Sequence, residues 1–203
     1  MRVDKKLLSN IFSLVRTITD QYKLSANHGN DVYRSVDDLK IVCEVYLGLK
    51  IKIFKLNRSQ DEGVVFGSYI AKEGNVRDII FVKDLNYCWQ RFVVCKELFH
   101  AVMDADEYRD MDIIGHVQAL TLAFPDDDSK PRPSVTAEFM AEVAAMEFLF
   151  PMERRLTEQK NTGLSIIGVA QRYKIPQKFV ERYLSGQFMA NLSDQDFYSG
   201  GQL

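Results

Sequence analysis

Histidine and cysteine are scarce in this chain of 203 residues, which has three of each: His28, His100 and His116, and Cys43, Cys88 and Cys95. Three cysteines cannot all pair and none stands in a C-x-x-C motif, which excludes a disulfide framework and a cysteine-rich zinc ribbon. Any histidine-rich metal site would have to draw on nearly every histidine. No apolar run reaches the roughly 18 residues of a membrane span, so no membrane partner is expected. The apolar stretch near the N-terminus is broken by Ser9, Asn10 and Arg16 and does not read as a secretory h-region, so the expected compartment is the cytoplasm. Charge of one sign is also lacking: 26 Lys and Arg against 28 Asp and Glu give a formal net charge of −2. Such a chain has no global field for a polyanion, and any nucleic-acid site must be a local patch. What is present is ordinary for a globular chain, 46% apolar and 27% charged, which excludes a wholly disordered or collagen-like chain. A chain of this length buries roughly 70% of its unfolded surface, so folding alone needs neither metal nor staple.

Leu7, Leu8, Ile11, Phe12, Leu14, Val15 and Ile18 recur at helical spacing and predict an amphipathic helix over about 4–23. A polar loop follows, Ser25 to Asn30 with His28 in it, so that 1–30 reads as an N-terminal helix and loop. Ser35 before Asp37 and Asp38 is an N-cap with acids in the first turn, and Gly48 ends that helix. Strand candidates are 49–56, where lysines alternate with apolar residues, 63–71, and the short 78–82. Their hairpin-like separations predict a small three-stranded sheet, mostly antiparallel or mixed. Helices are then expected over 86–104 and about 110–124. A loop at 125–134 holds three of the five prolines, and a helix from Ser134 to about Phe150 follows it. A helical hairpin at 164–186 ends the unit 31–187, before a tail at 188–203. Helices, then a sheet, then helices make an α+β arrangement.

The helix at 86–104 contains Arg91-Phe-Val-Val-Cys-Lys-Glu-Leu-Phe-His100. In H-E-x-x-H, residues i and i+4 project from one face and share a zinc ion, while the intervening Glu activates a bound water. Here Glu97 and His100 are in place and Lys96 stands where the first histidine would be. With Asp78-Ile-Ile-Phe-Val, Asn86 to Trp89, and Arg91-Phe92 upstream, this stretch resembles the ImmA/IrrE family of zinc endopeptidases. Downstream, Glu138-Phe-Met-Ala141, Ala145, Phe148-Leu149 and Pro151 are similar to the family's ligand-bearing helix. Val169-Ala170 to Ile175-Pro176, with Arg182-Tyr183-Leu184, resembles the helical segment after it. The resemblance covers about residues 35–186 and implies a zincin-like fold, a small sheet packed against a mainly helical core. By position it makes His100 the second histidine ligand, Glu97 the general base and Glu138 the third ligand.

The departures fall on the chemistry. A lysine is protonated at neutral pH, has three donors and no lone pair, and shares the sign of zinc. With Lys96 in the first ligand's place, the expectation is a protein without bound metal, zinc being its cofactor if the site is functional. The Lys96 ammonium is expected to replace the metal by contacting Glu138 or Glu142, which lie one turn apart on a helix. Asp104, four residues after His100, and Glu142 are the candidate substitute ligands if zinc does bind. Cys95 falls among apolar neighbours and reads as buried and inert despite adjoining Lys96. His116 and the run Asp126 to Asp128 read as structural or solvated. Arg172, Lys174, Lys178 and Arg182 give the segment 164–185 a basic, helix-turn-helix look, the basis of a DNA-binding alternative.

The resemblance therefore implies a metallopeptidase-like regulatory protein with an impaired zinc site. Its partner would be a protein, such as a transcriptional repressor or a mobile-element regulator, rather than nucleic acid. An active zinc endopeptidase is the alternative, and a DNA-binding module the third reading.

Overall fold

A computed structural model of the chain describes residues 5–25, 32–57, 66–105, 133–161, 163, 165–186 and 188. The expected helix at 110–124, most of the 125–134 loop, His28, His116, Asp126 to Asp128 and nearly all of the 188–203 tail lie outside the described residues. The described chain runs α1 (Lys5–Ser25), α2 (Val36–Tyr46), β1 (Lys50–Leu56), β2 (Gly67–Ala71), β3 (Val76–Val82), α3 (Tyr87–Met103), α4 (Pro133–Leu149), α5 (Met152–Lys160), α6 (Ile166–Tyr173) and α7 (Gln177–Leu184). The fold is α+β, with a small mixed sheet beside a helical core.

One stripe of α1, Leu7, Leu8, Ile11, Leu14, Val15, Ile18 and Tyr22, is buried in the common core, against α2 and α4. The Ser35 hydroxyl accepts from the Asp38 N–H at 3.1 Å and starts α2. Gly48, at φ 62°, stands just past the α2 C-cap Leu47, in the left-handed region that a side chain resists.

The sheet order is β1-β3-β2, with β1 parallel and β2 antiparallel to β3. That corrects the mostly antiparallel expectation, since one of the two pairings is parallel. β3 is the most buried strand and takes the centre, while β1 turns lysines outward and stays at an edge. Lys50 and Lys52 stand opposite Val76 and Asp78, and charged outward residues suit an edge. Spacing along the chain hides this order, because β2 crosses to the far side of β3 before the chain returns.

α3 is buried on nearly every side: Phe92, Val93, Val94, Cys95, Leu98, Phe99, Ala101 and Val102 are all in the core. The Asn86 side chain caps it by accepting from the Trp89 N–H at 3.1 Å. α4 packs along it with Met140, Ala141, Ala144, Ala145, Phe148 and Leu149 buried. A helix apolar all round belongs inside a core, and two of them side by side form the spine here.

α5 has no counterpart among the helices expected from sequence, which pass from about Phe150 to the hairpin at 164–186. Beside Met152 its buried residues are charged, which hides the apolar period: Arg155 pairs with Glu147, and Glu158 accepts from the Tyr173 hydroxyl at 2.7 Å. Glu147 also caps the helix, accepting from the Met152 N–H at 3.1 Å.

Arg91 ties three segments together from the second turn of α3. Its guanidinium donates to the carbonyls of Tyr173 at 2.8 Å and Lys174 at 2.7 Å, closing the end of α6, and to the carbonyl of Arg34 before α2. A lysine ammonium is a point charge without the planar fork that spans three carbonyls on separate segments. Arg91→Lys should lower the free energy of unfolding by about 1.5–3 kcal/mol, read from urea midpoints at unchanged slope.

Candidate functional site

Lys96, Glu97 and His100 occupy the segment of α3 that meets β2 on one side and α4 on the other. Glu97 is 2% exposed, and the reason it can be so deep is Gly67 at the start of β2. A Cβ on Gly67 would stand 2.3 Å from Val93 Cγ1 and 3.3 Å from Glu97 Oε1. The strand therefore closes over the carboxylate only because residue 67 has no side chain.

The Lys96 Nζ atom lies 3.0 Å from Glu97 Oε1 and 2.5 Å from Glu138 Oε2. The approach to Glu97 is ionic and off the hydrogen-bond direction, leaving Oε1 without a hydrogen-bond partner, whereas Glu138 accepts a hydrogen bond. The other Glu138 oxygen, Oε1, lies 3.2 Å from His100 Nε2. One carboxylate from α4 thus bridges an imidazole and an ammonium from α3. Contact with His100 does most to hold the Glu138 carboxyl below its usual 4.5; burial opposes it and Lys96 reinforces it, leaving about 2. Burial alone would depress the Lys96 ammonium, but the Glu97 charge and the Glu138 contact outweigh it and raise its pKa.

Two candidate ligands are engaged elsewhere. The Glu142 carboxylate accepts from Arg182 at 2.6 Å and from the Tyr183 hydroxyl at 3.2 Å. The choice left open between Glu138 and Glu142 for Lys96 therefore falls to Glu138, and Glu142 serves the α4–α7 contact. Asp104 accepts from the Tyr69 hydroxyl at 2.5 Å, with Arg77 at 3.7 Å. The Tyr69 ring in turn lies stacked beside His100, centroids 6.4 Å apart at 11°. Burial first, and then Asp104, push the Tyr69 phenol above its ordinary value. Asp104 thus orients Tyr69, and Tyr69 borders the imidazole. Tyr69 and Arg77 escape the sequence reading because they come from strands remote in the chain; the glycine within β2 was the available sign of a close approach.

Cys95 is fully buried, and burial pushes its thiol well up, so the neighbouring lysine does not activate it. Of the basic residues at 164–185, Arg172 pairs with Glu158 at 2.9 Å and Arg182 with Glu142. Lys178 lies 4.4 Å from the Trp89 ring centroid, and Lys174 is the left-handed C-cap of α6. Two of the four positive charges are thus compensated within the fold.

Among the described residues, no three His, Cys, Asp or Glu side chains form a group that could hold a metal ion. Zinc requires three lone-pair donors at about 2.0–2.2 Å and an open fourth position. Here the first position carries an ammonium, and that ammonium already holds the Glu138 carboxylate. The residues present do not fit zinc. Among the described residues, no helix is long and apolar enough to cross a membrane. Compared with known proteins, the chain matches no family model and no curated protein.

The depressed Glu138 pKa has a signed consequence. Its contribution to stability is complete above the unfolded value of 4.5 and is lost as pH falls through about 2. Urea midpoints of the wild type and Glu138→Gln should differ most near neutrality and converge as pH falls toward about 2. A gap that stays constant with pH would contradict the Glu138 assignment.

Proposed function

We propose that this chain is a metallopeptidase-like regulatory protein of the ImmA/IrrE type whose metal position is taken by the Lys96 ammonium. It acts by binding a protein partner in the cytoplasm, of the kind a transcriptional repressor or mobile-element regulator presents, rather than by cleaving one. The observation that carries this reading is the position of Lys96 Nζ, 3.0 Å from Glu97 and 2.5 Å from Glu138, with His100 on the other Glu138 oxygen. In the resembled site the Glu138 position would meet a metal cation, and here it meets an ammonium. An ammonium supplies charge but no open coordination position, so Glu97 has no bound water to activate. The engagement of Asp104 and Glu142 with Tyr69, Arg77, Arg182 and Tyr183 removes the substitute ligands on which an active enzyme would rely.

Elemental analysis of protein purified with zinc present is the test, run beside Lys96→His. The wild type should carry far less than one zinc per chain and show no chelator-sensitive peptidase activity. Lys96→His supplies a neutral imidazole one turn from His100 on the same helix face and should bind about one zinc. Stoichiometric zinc in the wild type would overturn the reading.

A further inference from the structure

Away from the Lys96 site, a groove of about 310 Å³ lies where the start of α3 meets the turn between α6 and α7. That volume is at the low end of ligand pockets, which run from about 300 to 1,000 Å³. It suits a few side chains of a peptide better than a cofactor. Its walls are Trp89, Ala170, Ile175 and Pro176, and Ile167 stands on its rim, 54% exposed. A half-exposed isoleucine beside a tryptophan-lined recess is apolar surface that nothing in the described chain covers.

The charge of the lining is one-sided. Lys178 is the only charged residue that lines the groove, and no Asp or Glu does so among the described residues. The Lys178 ammonium lies 4.4 Å from the Trp89 ring centroid and 4.9 Å from that of Phe179, so it is held at the apolar wall. Glu181, on the same helix, accepts from the Gln177 side chain at 2.7 Å. The complementary occupant has an apolar side chain for the Trp89 wall and a carboxylate for Lys178. A nucleic-acid duplex is less well matched, because it is bound by several cations along its phosphates, and Arg172 and Arg182 are paired with Glu158 and Glu142.

We propose that this groove docks an acidic, leucine-bearing segment of a partner protein, the leucine against Trp89 and Ile167 and the carboxylate on Lys178. The groove works independently of the Lys96 position, so its test and the zinc test fail separately.

Cys88 lines the groove and is partly exposed, while Cys43 and Cys95 are buried, so thiol exchange on the whole protein reports on this site. Three short peptides, each with one activated cysteine disulfide, serve as probes. The first carries leucines and acids, the second has its carboxylates changed to carboxamides, and the third keeps the acids with glycine for leucine. Under reversible exchange, intact-mass spectrometry should find the first captured about two- to fivefold more than either of the others. Lys178→Gln should abolish the preference for acid over carboxamide, and Ile167→Asp should reduce capture of both leucine peptides. Lys96→His should leave the order unchanged. Circular dichroism confirms that these surface variants fold. Equal capture of all three peptides, or an acid preference that survives Lys178→Gln, would overturn the proposal. Salt-dependent protection of Cys88 by a short DNA duplex, stronger than by the acidic peptide, would reassign the groove to nucleic acid and overturn it equally.

Discussion

The Lys96 ammonium between the carboxylates of Glu97 and Glu138 resolves a conflict set up by α3. A helix buried on nearly every side carries an acid at its centre, and Glu97 is 2% exposed beneath a strand that closes over it. An isolated carboxylate there would have to shed its charge or admit water. Lys96 offsets it from the adjacent position: side chains at i and i+1 point about 100° apart on a helix, but a lysine stem is long enough to turn back. The same ammonium reaches α4, so one cation both neutralises the core acid and links the two central helices. A buried charge cluster of this kind is costly to break rather than strongly stabilising, because removing the lysine leaves the acid unpaired.

Several other acids of the helical part are likewise answered across a helix boundary. Arg155 answers Glu147, Arg172 and Tyr173 answer Glu158, and Arg182 and Tyr183 answer Glu142. Arg91 has no carboxylate and instead collects three backbone carbonyls, which makes it a joint between α2, α3 and the α6–α7 hairpin. These pairings temper the basic look of residues 164–185: half of that charge, Arg172 and Arg182, belongs to the fold.

Much of this was legible before the structure. The Ser35 cap locates the start of α2 and is a side-chain cap in the structure, and the helical pattern locates α3 and the α6–α7 hairpin; local signals of that kind do not depend on tertiary context. The spacing of Lys96, Glu97 and His100 puts them on one stretch of helix, while Glu138 was singled out only through the family resemblance. Strand order was not legible, since hairpin-like gaps cannot reveal that β2 crosses to the far side of β3. α5 was not legible either, because two of its three buried residues are Arg155 and Glu158, and a period search counts apolar side chains. Tyr69 and Arg77 reach the site from separate strands, and Glu142 leaves it for a helix some forty residues on. Such choices between equivalent partners are made by packing alone.

The central claim is that the Lys96 ammonium is lodged between the two carboxylates and stays charged there. Lysine labelled at Cε and Nζ makes it directly measurable by heteronuclear NMR, with Lys96→Arg to assign the resonance. The account predicts one protected ammonium that titrates above the ordinary lysine value of 10.5 and loses its protection in Glu138→Gln. A Lys96 resonance that exchanges and titrates with the exposed lysines would contradict it.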